Sequence, residues 1–149
     1  MENDTTISCL EHILQIINDG KYGYINASED VSDATLKVLF LQYSEQRASF
    51  SQELKHQILK LGGETKDQGD TLGALHRTWM DIKSNVSGGD RDAILKACIT
   101  GEEKALDVFN DEMKNISDQD ILDLLFQQSS AIKLALNNIR TLENTLSNT

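Results

Sequence analysis

The groups in this chain best suited to chemistry are carboxylates set inside apolar helical patterns. In the stretch 95–113, LKACITGEEKALDVFNDEM, the residues Leu95, Cys98, Glu102, Leu106, Phe109 and Met113 recur at steps of three and four. They therefore stack along one side of an α-helix. Glu102 is the one carboxylate in that stripe. Burying it requires a partner that pairs with it, a proton, or a metal ion coordinated through it.

Other reactive groups offer less. Cys9 and Cys98 stand far apart and outside any CxxC spacing, which suits reduced, buried thiols. Neither lies beside a recognisable base, and no Gly-x-Ser-x-Gly or phosphate loop occurs, so nucleophilic catalysis has no support. His76-Arg77 next to Trp79 has two readings. The pair could bind an anionic ligand or move a proton, or it could fix a short helix to the rest of the fold by hydrogen bonds.

The elements that must position these groups are helices. The chain has 149 residues, suited to one domain, with 39% hydrophobic but only 5% aromatic residues and no proline. Periodicity predicts a first helix over 5–31, capped by the oxygens of Asn3-Asp4-Thr5-Thr6, and a second over 33–61, begun at Ser32-Asp33 and ended by Gly62-Gly63. A crossover over 62–89 holds a short helix at about 71–86. A third long helix follows over 90–115 from an Asp90 cap, and a fourth over 117–146. Gly20 and Gly23, inside the first helix, mark a close helix approach or a local irregularity.

Two tight hairpins joined by a long crossover give an all-α, ferritin-like four-helix bundle with the second and third helices parallel. Counting residues away from the turns sets Asp19, Glu45 and Glu102 at mid-bundle with positions 129–131 of the fourth helix, and Lys21, Arg47 and Gln128 close by. A dimetal carboxylate site in such a bundle needs a Glu on each of two helices and Glu-x-x-His on the other two. Here Glu45 is followed by Gln46-Arg47-Ala48, and the fourth helix offers Ala131-Ile132-Lys133-Leu134. Half of that ligand set is missing. The one ExxH, Glu53 to His56, counts level with Glu11-His12. Without matching ligands on the last two helices it reads as a solvated surface cluster.

Several segments together carry a resemblance: Asp19-Gly20-x-x-Gly23-Tyr24, Glu45-Gln46-Arg47-x-x-Phe50-x-x-Glu53-Leu54, Leu61-Gly62-Gly63, Gly73-Ala74-Leu75-His76-Arg77-x-Trp79-Met80 and Gly101-Glu102. The chain resembles the bacterial ferritin-like four-helix-bundle family of unknown function, a distant relative of ferritins and rubrerythrins. The resemblance implies the bundle and little about activity. The family pattern has an acidic residue near 131 and a His near 136, where this chain has Ala131 and Leu136, so an inherited dimetal site is expected to be degenerate.

Charge narrows the partners. A net charge of −10 gives no electrostatic basis for binding nucleic acid or anionic membranes. The N-terminus has no basic region followed by an apolar core, and no apolar run approaches membrane-spanning length, so a cytoplasmic chain is expected. Apolar stripes on the first or the short helix leave room for a homodimer. Two functional readings remain. In the first, a non-catalytic, stress-associated or structural bundle without a cofactor, Arg47 or Lys21 neutralises Glu102. In the second, Asp19, Glu45 and Glu102 hold iron, manganese or zinc with water or amide ligands, Gln128 among them, and give a weak oxidase-type activity.

Overall fold

The computed structural model describes residues 2–64 and 91–147. It is an all-α bundle of four helices: α1 (Glu2–Asp30), α2 (Ala34–Lys60), α3 (Arg91–Met113) and α4 (Gln119–Ser147). The expected short helix at 71–86, with His76, Arg77 and Trp79, lies outside the described residues, as does the Asp90 cap. No described helix is long and apolar enough to cross a membrane.

Each turn is built by local chemistry. Asp33 caps α2, its carboxylate accepting from the amides of Thr35 at 2.8 Å and Leu36 at 3.1 Å. At the other end of α2, Gly62 takes a φ of 91°. Its amide donates to the Leu59 carbonyl while the Gly63 amide reaches back to Ile58 at 2.9 Å, closing the helix with a left-handed glycine. Gly63 is also forced by space, since a Cβ there would stand 2.8 Å from Ile58 Cγ2. Asp118 caps α4 by accepting from the Ile121 amide. One boundary differs from expectation. Asn3, Asp4, Thr5 and Thr6 lie within α1, which starts at Glu2. The Thr6 hydroxyl donates to the Glu2 carbonyl one turn back, so it sits in the helix as a bonded interior residue rather than a cap.

Side-chain pairs fix the directions of the helices. The Asp33–Arg91 ion pair, at 3.4 Å, joins the starts of α2 and α3, so these two run parallel. His12 on α1 meets Glu112 on α3, and Ser117 donates to Glu2, at the opposite end. α1 packs against α2 and α3, α4 packs against α3 and touches α2 more lightly, and α2 and α3 stand across a diagonal. The core divides along the bundle axis. One cluster gathers Leu10, Ile13, Ile17, Leu54, Phe109 and Leu125 towards the α1 start, and the other gathers Tyr24, Leu36, Phe40, Leu95, Ala135 and Ile139 towards the α1–α2 turn.

The Asp33 cap carries more than its ion pair, because Asp33 and Arg91 are each about one-third exposed and such pairs contribute little. Asp33→Ala is expected to lower unfolding free energy by about 1 kcal/mol, and Asp33→Asn, which keeps the cap, by under about 0.5 kcal/mol. Urea midpoints of the two variants would check this order.

Candidate functional site

Between the two apolar clusters lies a polar centre. Arg47, on the inward stripe of α2, is 1% exposed, and Glu102, on the inward stripe of α3, is 2% exposed. Nη1 of Arg47 donates to Oε1 of Glu102 at 2.6 Å and Nη2 donates to Oε2 at 2.5 Å. This is a bidentate, charge-assisted pair spanning the diagonal of the bundle. Gln46 offers its Oε1 to Arg47 Nε at 3.4 Å.

Small and aromatic neighbours shape the space around the guanidinium. A Cβ on Gly20 would stand 3.2 Å from Arg47 Nη1, so α1 presents bare backbone where the guanidinium passes. On another side Arg47 lies over the Tyr24 ring, 5.3 Å from its centroid. Tyr24 is held in turn by Tyr43 and Phe40, with centroids 5.2 and 5.9 Å away. Its hydroxyl is buried beside the Arg47–Glu102 pair. Cys98 sits one turn before Glu102 on α3 and is buried as well.

The electrostatics follow from burial plus one pair of charges. Burial works against the Arg47 charge, but the adjacent Glu102 carboxylate more than reverses this and holds its pKa above the ordinary value. Burial first, and then the Glu102 carboxylate, push the Tyr24 phenol and the Cys98 thiol well up, with Arg47 opposing. Both therefore stay protonated near neutral pH, and neither offers a phenolate or thiolate nucleophile there.

The expected site residues separate. Asp19 is buried on α1, whereas Glu45 is exposed on α2. Two residues along a helix is roughly 200° of rotation, so α2 can turn Arg47 or Glu45 to the core but not both. Gln128 is buried on α4 and donates its amide to the Phe50 carbonyl at 3.4 Å and to Glu53 at 3.3 Å, stitching α4 to α2. Lys21 is half-buried and Ala131 partly so, while His56 is exposed. Among the described residues, no group of three or more His, Cys, Asp or Glu side chains is arranged to hold a metal ion.

One cluster was missed by the sequence reading. His12 Nδ1 lies 2.8 Å from Glu112 Oε1, and Glu112 also accepts from the Cys9 thiol. Burial, the hydrogen bond and the charge of Glu112 together push Cys9 up to about 11. Glu112 itself is drawn down, since the bonds from His12 and Cys9 outweigh its partial desolvation. The sequence offered Cys9 only as a reduced, buried thiol, because its partner Glu112 lies in a distant helix. A cavity of about 620 Å³ at the α1–α2 turn end is lined by Leu36, Val38, Leu39 and Leu142 with Asp33, Thr35, Gln42 and Arg91.

The comparisons with known proteins come to one family. A model described as a domain of unknown function, DUF2383, matches residues 5–115, and the chain belongs to that family. A search of curated proteins returned no match. The matched stretch contains α1, α2 and α3 almost entire, and so Gly20, Tyr24, Arg47 and Glu102.

Two measurements probe this centre. Gly23 has open space around it, so Gly23→Ala is expected to stabilise by about 0.5–1 kcal/mol from helix propensity. Gly20→Ala is expected to fall below wild type, because two bonds to Glu102 keep Arg47 from retreating; chemical unfolding of both variants would show the split. The pH dependence has a definite sign. Tyr24 and Cys98 stay neutral in the folded chain, whereas in the unfolded chain they ionise near about 10 and 8.5. Their contribution is complete below about pH 8 and declines above, by up to about 1.4 kcal/mol per pH unit for each group that only the unfolded chain ionises. Urea midpoints between pH 7 and 10.5 would display that decline.

Proposed function

We propose that this chain is a non-catalytic, ferritin-like bundle in which an organic cation, the Arg47 guanidinium, stands where a dimetal protein would hold its ions. The observation that carries the reading is the bidentate bond from Arg47 to both oxygens of Glu102. In that bond the guanidinium fills one lone pair on each oxygen and already neutralises the carboxylate, so a metal ion would meet a cation beside its ligand. The other expected donors make an incomplete set: Asp19 and Gln128 are buried, but Glu45 is exposed and position 131 of α4 is Ala. The dimetal site is therefore read as degenerate, with the charge of the lost metal supplied by a side chain.

The surroundings support a structural or protein-binding role. Tyr24 and Cys98 are kept neutral by burial and by Glu102, so neither supplies an anionic base or nucleophile near neutral pH. The net charge of −10 disfavours nucleic acid and anionic membranes, and two free, buried cysteines accord with a reducing, cytoplasmic setting.

Metal analysis of protein purified without chelator tests the reading. The expected result is no stoichiometric iron, manganese or zinc, together with a loss of about 3–5 kcal/mol of stability in Arg47→Ala, which strands the buried carboxylate. About one or two ions per chain, lost in Glu102→Ala, would overturn it.

A further inference from the structure

Arg47 and Glu102 belong to different hairpins. α1 and α2 form one, α3 and α4 the other, and residues 61–90 join them. Most of what the hairpins bury against each other is aliphatic, as in Leu10, Ile13, Leu54, Leu95, Leu125 and Ile139. Such surfaces can slide or exchange partners with modest loss, because hydrophobic residues of about the right size pack in more than one way. Two further charged pairs between the hairpins, Asp33–Arg91 and His12–Glu112, lie at the two ends of the bundle and are partly exposed. Arg47–Glu102, by contrast, joins the hairpins within the core.

We propose that Arg47 and Glu102 are a complementary docking code between the two hairpins, and that the partner this code fits is the opposite hairpin, in the same chain or in a second copy of it. A slip of one helical turn, about 5.4 Å, would carry the guanidinium away from the carboxylate and leave two buried charges unpaired. Docking of an α1–α2 hairpin onto its own copy would set Arg47 against Arg47. Docking of two α3–α4 hairpins would set Glu102 against Glu102. Each wrong arrangement is penalised by like or unpaired charge, much as polar groups at core positions specify register in coiled coils. The inference goes beyond the functional reading and is tested separately from it, since metal content does not enter the experiment.

Charge exchange between chains reads the code directly. Arg47→Glu in one chain and Glu102→Arg in another leave each chain with like charges at its centre, but crossing their hairpins restores one Glu–Arg pair in each half of a dimer. Co-refolding the two variants should yield a one-to-one heterodimer as the majority species by native mass spectrometry. Its melting temperature should exceed that of either variant alone and approach that of the double variant Arg47→Glu/Glu102→Arg. A mixture that behaves as the sum of its two components, while the double variant folds as a monomer, would overturn the proposal. The apolar double variant Arg47→Met/Glu102→Leu decides the matter if the reversed pair does not fold. It should keep wild-type helicity yet give more than one species, as split amide resonances or added oligomers. A single species with the wild-type mass and one set of resonances would overturn the code.

Discussion

A carboxylate cannot stay charged among aliphatic side chains without a partner, and the arrangement around Glu102 is built to meet that requirement. Its partner reaches it from α2, across the diagonal, with the donor fork of a guanidinium matched to the two carboxylate oxygens. A lysine could not replace it atom for atom, since one ammonium cannot engage both oxygens along parallel bonds. The pair explains why α1 carries glycine at 20, why an aromatic ring lies beneath the guanidinium, and why the apolar core is two clusters rather than one.

The centre is polar and chemically quiet at once. Strong mutual attraction leaves neither charge available to a substrate, and the same field that stabilises the pair raises the pKa of the phenol and thiol next to it. In a catalytic site, neighbouring titratable groups are commonly held at different pKa values so that one gives and another takes a proton. Here Tyr24 and Cys98 are both pushed the same way, towards the neutral form. Membership of the DUF2383 family adds no activity to that picture.

Much of this was legible in the sequence. The stripe through Glu102 and the stripe through Arg47 are local patterns, and a buried charge on each of two helices invites the pairing that the structure contains. The double glycine after Leu61 and the acidic cap before Ala34 are equally local, and both occur. Counting residues from the turns set Asp19, Glu45 and Glu102 at one level, and their neighbours Gly20 and Arg47 do meet Glu102 in a single layer. It could not tell which side of α2 faces inward at that height, and Glu45 lost to Arg47 by rotation alone. The start of α1 was misjudged because Thr5 and Thr6 have the chemistry of caps, whereas their place within the helix is set by residues on both sides. The Cys9–Glu112–His12 cluster depends on which helices become neighbours, and no spacing along the chain encodes it.

The division of the core has a thermal consequence. Where most small bundles bury a continuous hydrocarbon interior, this one interrupts it with a guanidinium, a carboxylate and a phenol. Hydrating apolar surface raises the heat capacity of an unfolded chain and hydrating polar surface lowers it. The hydration of ions also becomes less favourable on heating, so the cost of keeping the pair dry shrinks as temperature rises. The central layer therefore flattens the stability curve and moves part of the bundle's resistance to the warm side, opposite to the weakening on cooling of the aliphatic clusters above and below it.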